Sequence, residues 1–348
     1  MTHPLKTLWY TRCPHPSPLG LAAQLGWFLD EFIDDGIDVF TLQETENAQH
    51  FESHFDHHLT NSFRQGGSAP AIWARSRGAD TRVIGFNWVD EYQAILTHPD
   101  SGLFLPRDLR SRRLALPRTT APVDVRRAEA LRGYSTALDL AGVPASALQF
   151  VDVFDERPVQ QRSASLSRYG GYDRVVEALQ RGDVDAIFVK GARGLKVTHE
   201  IGLHLVVDLA KHEDPLVRAN HGVPRPITVD GTILRNHPDI VVRFLARVVA
   251  VGDWAAAHPP ETTLYVSRET HCAERWIREA YGPDLHHRQK TTIDDTCITT
   301  LQSFKDFLFR SNFIPQNFNV DDWVDREPLQ AAIAHVRNRT VKRFLTAV

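Results

Sequence analysis

"KTLWYTRCPHPSPLGLAAQLGWFLDEFIDDGIDVFTL", residues 6–42, decides the reading of the fold. Lys6–Arg12 is a short apolar strand, and three prolines crowd the turn after it. Leu21, Leu25, Phe28 and Phe32 then recur at helical spacing, with Ser17 as N-cap and Gly36 as the stop, which predicts one helix over about 18–35. Ile37–Leu42 is a second strand, completing a βαβ unit and arguing for a mostly parallel sheet with helices on its faces. Cys13 stands just past the carboxyl end of the first strand, where open α/β sheets bind ligands.

Working outward, "RVIGFNWV" (82–89) and "YQAILTH" (92–98) read as further strands. "RRLALP" (112–117), a helix from Arg126, "LQFVDVF" (148–154) and "YDRVVEALQRGDVDAIFVK" (172–190) make a second α/β unit. After the strand "GLHLVVDLA" (202–210) the pattern is mostly helical: 238–258, 267–282 and 297–313. No internal repeat, low-complexity segment or long linker divides the chain, so short connections are expected between two lobes.

Composition narrows the function classes. The 348 residues are 42% hydrophobic and 24% charged, with a formal net charge of −3. That is the profile of a globular protein, with no basic field to hold nucleic acid or an anionic membrane. No run of about 18 apolar residues suggests membrane insertion. Three cysteines without CxxC spacing indicate neither a disulfide framework nor a zinc knuckle. The N-terminus shows no apolar h-region, so the chain, taken as complete, is expected in the cytoplasm.

Cys13 has two readings. The N-terminus of the following helix would favour an anion near it and lower the thiol pKa. Alternatively it is a small buried hydrophobe, as free cysteine often is. A second stretch, "QHFESHFDHHLTNSFRQGG" (49–67), carries His50, His54, His57 and His58, then Arg64 before Gly66-Gly67. Arg64 offers a planar fork suited to a carboxylate, sulfinate or sulfonate. Paired glycines let backbone N–H groups approach an oxyanion, and a helix starts near Ser68. Arg-x-Gly-Gly also occurs in plain turns. The histidines either share one helical face as metal ligands or leave one to polarise a thiol while the others are solvated. Spacing alone does not choose. Cys272 and Cys297 read as packing residues in helices, and "QRSASLSRYGGY" (161–172) as a loop able to close on a ligand or as a solvated turn.

These stretches resemble a known superfamily. Residues 10–39, the "RGDVDAIFV" element (181–189) and "FKDFLFRSNFIPQNFNVDDWVD" (304–325) are similar to substrate-binding proteins of nitrate, sulfonate and taurine transporters. The resemblance implies a two-lobed α/β fold of the type 2 periplasmic-binding-protein kind, with a ligand cleft between lobes. The expected division is a discontinuous lobe I of 1–97 and 192–348, and a lobe II of 98–191. A closer resemblance is to the 2′-hydroxybiphenyl-2-sulfinate desulfinases. Tyr10–Pro14 matches their Tyr-x-x-Cys-Pro, and His54-Phe55 stands ten residues before Arg64-Gln65-Gly66-Gly67, as in their His-Phe and Arg-x-Gly-Gly.

That resemblance implies a cofactor-free and metal-free hydrolase of a carbon–sulfur bond. Cys13 would be the catalytic cysteine and His54 its partner, with Arg64, Gly66 and Gly67 as the binders of a small anionic organosulfur ligand. The alternative it implies is a non-catalytic sulfonate-binding protein serving an ABC permease. A third is another enzyme on the scaffold, a decarboxylase or a pyrimidine-precursor synthase, although the synthase's cysteine-rich iron motif is absent.

Overall fold

The structure, a computed structural model, describes residues 5–157 and 168–346, with side chains to 338. The chain divides into two compact units. One comprises residues 1–89, 224–269 and 284–348; the other comprises 90–223 and 270–283.

The first unit is built on a five-stranded sheet in the order β2-β1-β3-β10-β4. Its strands are β1 (Thr7–Arg12), β2 (Asp38–Thr41), β3 (Ser62–Gln65), β4 (Thr81–Asn87) and β10 (Arg225–Asp230). The helices are α1 (Pro18–Gln24), α2 (Trp27–Phe32), α3 (Ala48–Asp56), α4 (Ser68–Ser76), α9 (Gly231–Asn236), α10 (Pro238–Ala257), α11 (Pro259–Thr270), α13 (Asp295–Arg310) and α14 (Glu327–Thr346). Ser17 caps α1 as expected, its hydroxyl accepting from the Gly20 N–H. The single helix expected over 18–35 is instead broken at Gly26, whose φ of 76° is left-handed and ends the i→i−4 ladder. The break turns Phe28 onto the core. There Phe244 of α10 is stacked between Phe28 (4.1 Å) and Phe63 of β3 (3.8 Å), which anchors β3 to the helical layer. Glu31, 6% exposed, receives Arg243 and Arg247 of the same long helix.

The second unit holds the sheet β7-β6-β8-β5-β9. These strands are β5 (Gln93–Thr97), β6 (Arg113–Thr119), β7 (Gln149–Asp155), β8 (Ala186–Lys190) and β9 (His204–Asp208). Helices α5 (Val125–Leu140), α6 (Asp173–Gln180), α7 (Gly191–Ile201), α8 (Pro215–Arg218) and α12 (Glu274–Tyr281) complete it. Its core gathers Ile95, Leu114, Tyr134, Leu138 and Phe188.

Two expectations change and a third is refined. Each sheet is mostly parallel, as expected, with one reversed strand: β10 runs antiparallel to β3 and β4, and β5 antiparallel to β8 and β9, while the other four strands of each sheet share one direction. Neither strand follows a helical crossover from within its own sheet, because the chain enters both on changing unit, so nothing forces them parallel. For the same reason the units depart from boundaries at 97/98 and 191/192. Those cuts would remove β5 and β9 from the sheet with which they hydrogen-bond. The helix expected over 267–282 is two, α11 and α12, parted at His271 in a left-handed conformation, and buried Cys272 lies in the break. Residues 161–167 of the "QRSASLSRYGGY" stretch lie outside the described residues.

Candidate active site

Parallel pairing of β1 with β3 sets Tyr10 beside Phe63, Thr11 beside Arg64 and Arg12 beside Gln65. Residues paired in a parallel ladder point to the same face, so Thr11 and Arg64 share one side, and Cys13, two residues beyond Thr11, follows them. The backbone continues the pairing, since the Cys13 N–H donates to the Gln65 carbonyl (3.2 Å). Gly66 then lies against Cys13, so closely that a Cβ there would stand 2.3 Å from Sγ. The absence of a side chain at 66 is what gives the thiol its space.

His54 arrives on α3. Asn47 caps that helix, its side chain accepting from the N–H groups of Gln49 and His50. The helix stops at His57, left-handed at φ 56°. His54 thus sits in the last turn, with its Nε2 3.8 Å from Cys13 Sγ. Arg64 Nη2 donates to the same sulfur from 3.5 Å, and Arg64 Nε to the His54 carbonyl (3.3 Å). Cys13, His54 and Arg64, distant in sequence, therefore meet within one unit around one sulfur atom.

The electrostatics of this cluster are unusual. Arg64 is 3% exposed, its Nη1 has no hydrogen-bond partner, and no carboxylate lies within ion-pair distance among the described residues. A buried guanidinium without a counter-charge is costly, so its pKa is lowered by burial and held up by the Cys13 sulfur beside it. His54 is pushed down to about 3, first by desolvation and then by Arg64, so it is neutral at pH 7. His57 is lowered in the same way, by burial, Arg64 and His54. An anion brought to this point would meet the free Nη1 and lose less in desolvation than the guanidinium now does alone.

Two expectations about helix ends separate here. The α1 N-terminus does not offer donors to the thiol: Pro18 has no N–H, the Leu19 N–H donates to Gln65 Oε1 (2.8 Å), and the Gly20 N–H to Ser17 Oγ (3.2 Å). By contrast α4 begins at Ser68 as expected, and Gly67 at its N-cap brings no side chain to close it. The buried Ser68 hydroxyl also lacks a partner. An uncapped helix start beside an unpaired arginine suits an oxyanion. The remaining histidines scatter. His50 packs edge-on against Trp9, and His58 Nδ1 meets Asp56 Oδ1 at 2.6 Å. Among the described residues no three His, Cys, Asp or Glu side chains form a metal-holding group. Cys297 is buried in α13, its thiol pKa raised by that burial.

Sequence reasoning missed Thr11 and Gln43. Thr11 Oγ1 lies 2.7 Å from His54 Nδ1, and Gln43 Nε2 donates to Thr11 Oγ1 (2.8 Å) and to the Arg12 carbonyl. Strand alternation could have found Thr11, two residues before Cys13 on the same face. Nothing in the sequence marked Gln43.

Comparisons with known proteins agree with this architecture. No protein-family profile matches the chain. It is 24% identical over 363 aligned positions to the 2′-hydroxybiphenyl-2-sulfinate desulfinase of Rhodococcus erythropolis, covering 94% of this chain and 93% of that protein. It is also 24% identical over 330 positions to a putative aliphatic sulfonates-binding protein of Bacillus subtilis, covering 91% and 85%. Among solved structures, a cysteine-to-serine variant of the desulfurization enzyme DszB in complex with biphenyl-2-sulfinic acid superposes with a TM-score of 0.75 at 21% identity, covering 95% of this chain and 99% of that one. The periplasmic aliphatic sulphonate binding protein SsuA of Escherichia coli gives 0.61 at 14%, covering 92% of each chain. The chain therefore has the α/β fold of the periplasmic-binding-protein superfamily, which the desulfinase and the sulfonate-binding proteins share.

Proposed function

We propose that this protein is a cofactor-independent desulfinase that cleaves the carbon–sulfur bond of an organic, aromatic sulfinate and releases sulfite. The observation that carries the reading is the buried Arg64 guanidinium, unpaired at Nη1 and 3.5 Å from the Cys13 thiol through Nη2. A transport protein needs the anion-binding group but has no use for a thiol and an imidazole converging beside it. Similarity to the Rhodococcus desulfinase over nearly the whole chain supports the same class.

In this reading Arg64 holds the sulfinate oxygens, with the backbone at Gly66 and Gly67 completing the cradle. Cys13 gives its proton to the ipso carbon; the carbon–sulfur pair returns to the ring, and SO2 departs as the sulfinate's negative oxygen forms its second S=O bond. Water adds to SO2 to give bisulfite and a proton, and the thiolate recovers a proton. The sum is aryl sulfinate plus water giving arene plus bisulfite. The other route, attack of a Cys13 thiolate on sulfur, requires the opposite starting protonation state. The enzyme would act in the cytoplasm.

A second reading, a sulfonate-binding protein working with an ABC permease, is favoured by the likeness to the Bacillus protein. One experiment separates them. Purified protein is incubated with biphenyl-2-sulfinate and sulfite is measured, beside Cys13→Ser with ligand binding followed by calorimetry. Sulfite from the wild type, lost in the variant while binding persists, supports the desulfinase. Tight sulfonate binding with no turnover by the wild type supports the transport role, and undiminished turnover by Cys13→Ser removes the thiol from the mechanism.

A further inference from the structure

We infer that Thr11 and Gln43 are positioning residues that hold His54 as its Nε2–H tautomer, so that the imidazole donates to the Cys13 sulfur rather than taking its proton. Gln43 Nε2 faces the Arg12 carbonyl, which can only accept, so the amide nitrogen and not its oxygen must stand there. The same nitrogen lies 2.8 Å from Thr11 Oγ1 and donates to it. Gln43 Oε1 is turned the other way, accepting from Thr41 Oγ1. Thr11 is 2% exposed, so water does not compete for its hydroxyl proton. With its oxygen accepting from Gln43, that proton goes to the neighbour on the other side, His54 Nδ1 at 2.7 Å. An imidazole that accepts at Nδ1 and is neutral carries its hydrogen on Nε2, the nitrogen facing Cys13 Sγ.

The sulfur then has two N–H groups aimed at it, from His54 Nε2 (3.8 Å) and Arg64 Nη2 (3.5 Å), and neither can accept its proton. A thiol proton in this setting points elsewhere, and a thiolate left after proton donation is met by both donors. This consequence rests on the desulfinase reading; the tautomer itself does not. It gives His54 the role of stabilising charge on sulfur and denies it the role of general base towards Cys13.

The test is a long-range 1H–15N correlation spectrum of the full protein labelled with 15N-histidine, with His54 assigned by its loss in His54→Gln. The expected wild-type pattern between pH 5 and 8 is an unprotonated Nδ1 and a protonated Nε2. Thr11→Val, which keeps the shape and removes the hydroxyl, should turn this into a mixture of tautomers, and Thr11→Ser should restore it. A wild-type proton on Nδ1, or a Thr11→Val spectrum identical to wild type, overturns the inference. The wild-type spectrum decides alone if the valine variant does not fold. With an aryl sulfinate, Thr11→Val should lower kcat about tenfold and leave KM within about twofold, because it touches the thiol's partner and not the anion's. Absence of sulfite from the wild type refutes the desulfinase reading and leaves the spectroscopic result standing, so the two failures are distinguishable.

Discussion

Gly66→Ala tests whether the close approach of β3 to Cys13 makes the site. An alanine Cβ at 66 would lie 2.3 Å from Cys13 Sγ, 2.8 Å from its Cβ and 3.2 Å from its backbone nitrogen. Carbon and sulfur rest at about 3.7 Å, so the thiol must retreat by about 1.4 Å or the two strands must part. Overpacking of this kind costs about 1–3 kcal/mol. A shift of that size resets the distances from Sγ to the Arg64 and His54 nitrogens, now 3.5 and 3.8 Å, and a displacement near 1 Å lowers turnover by about a hundredfold. Urea denaturation of wild type, Gly66→Ala, Cys13→Gly and the double variant forms a cycle. Removing Cβ and Sγ at 13 relieves the two shortest contacts, so the alanine should cost about 1–2 kcal/mol less in the Cys13→Gly background. Sulfite release is measured for Gly66→Ala in parallel. Additivity within about 0.5 kcal/mol, with turnover intact, would refute the claim that Gly66 shapes the thiol's position.

Arg64→Met should abolish sulfite release, by about a hundredfold or more, while leaving the melting temperature unchanged or higher, since it removes a buried charge that has no carboxylate partner. Acid titration reports His54. The folded chain refuses its proton down to about pH 3 whereas the unfolded chain binds it near 6.5, so stability is complete above 6.5 and falls as pH drops between those values. His54→Gln should make that acid limb shallower in pH-dependent denaturation, with His57 keeping the remainder. Glu31→Ala should destabilise the first unit by about 1–3 kcal/mol in urea denaturation, because two arginines of α10 lose the carboxylate that binds them and both are only partly solvated.

Much of the architecture was legible in local pattern. The β1 and β2 strands, the Ser17 cap, and the start of α4 at Ser68 match their sequence signals, since each depends on residues within a few positions of one another. The strands β3 and β10 were not legible. "SFRQ" is too short and polar to announce a strand, and "RPITVD" carries a proline that argues against a central position. Arg64 therefore read as an anion-binding candidate beside two glycines or as part of a plain turn, and its place as the third residue of a buried strand was not visible. The break at Gly26 was equally hidden, because Phe28 and Phe32 continue the helical spacing of Leu21 and Leu25 across it.

The sequence by itself determined the chemical inventory: a thiol after the first strand, an imidazole and a guanidinium ten residues apart, and two glycines beside them. Which donor faces which acceptor was decided by tertiary structure alone. Register is a long-range property, and only the pairing of β1 with β3 brings Cys13 to Gly66 and Thr11 to Arg64 across some fifty residues of chain. The same fold spends the Leu19 N–H on Gln65, leaves Arg64 Nη1 free, and turns Gln43 and Thr11 towards His54. Burial then gives these contacts their weight, because in the absence of water each polar atom must be satisfied by a neighbour that no local pattern names.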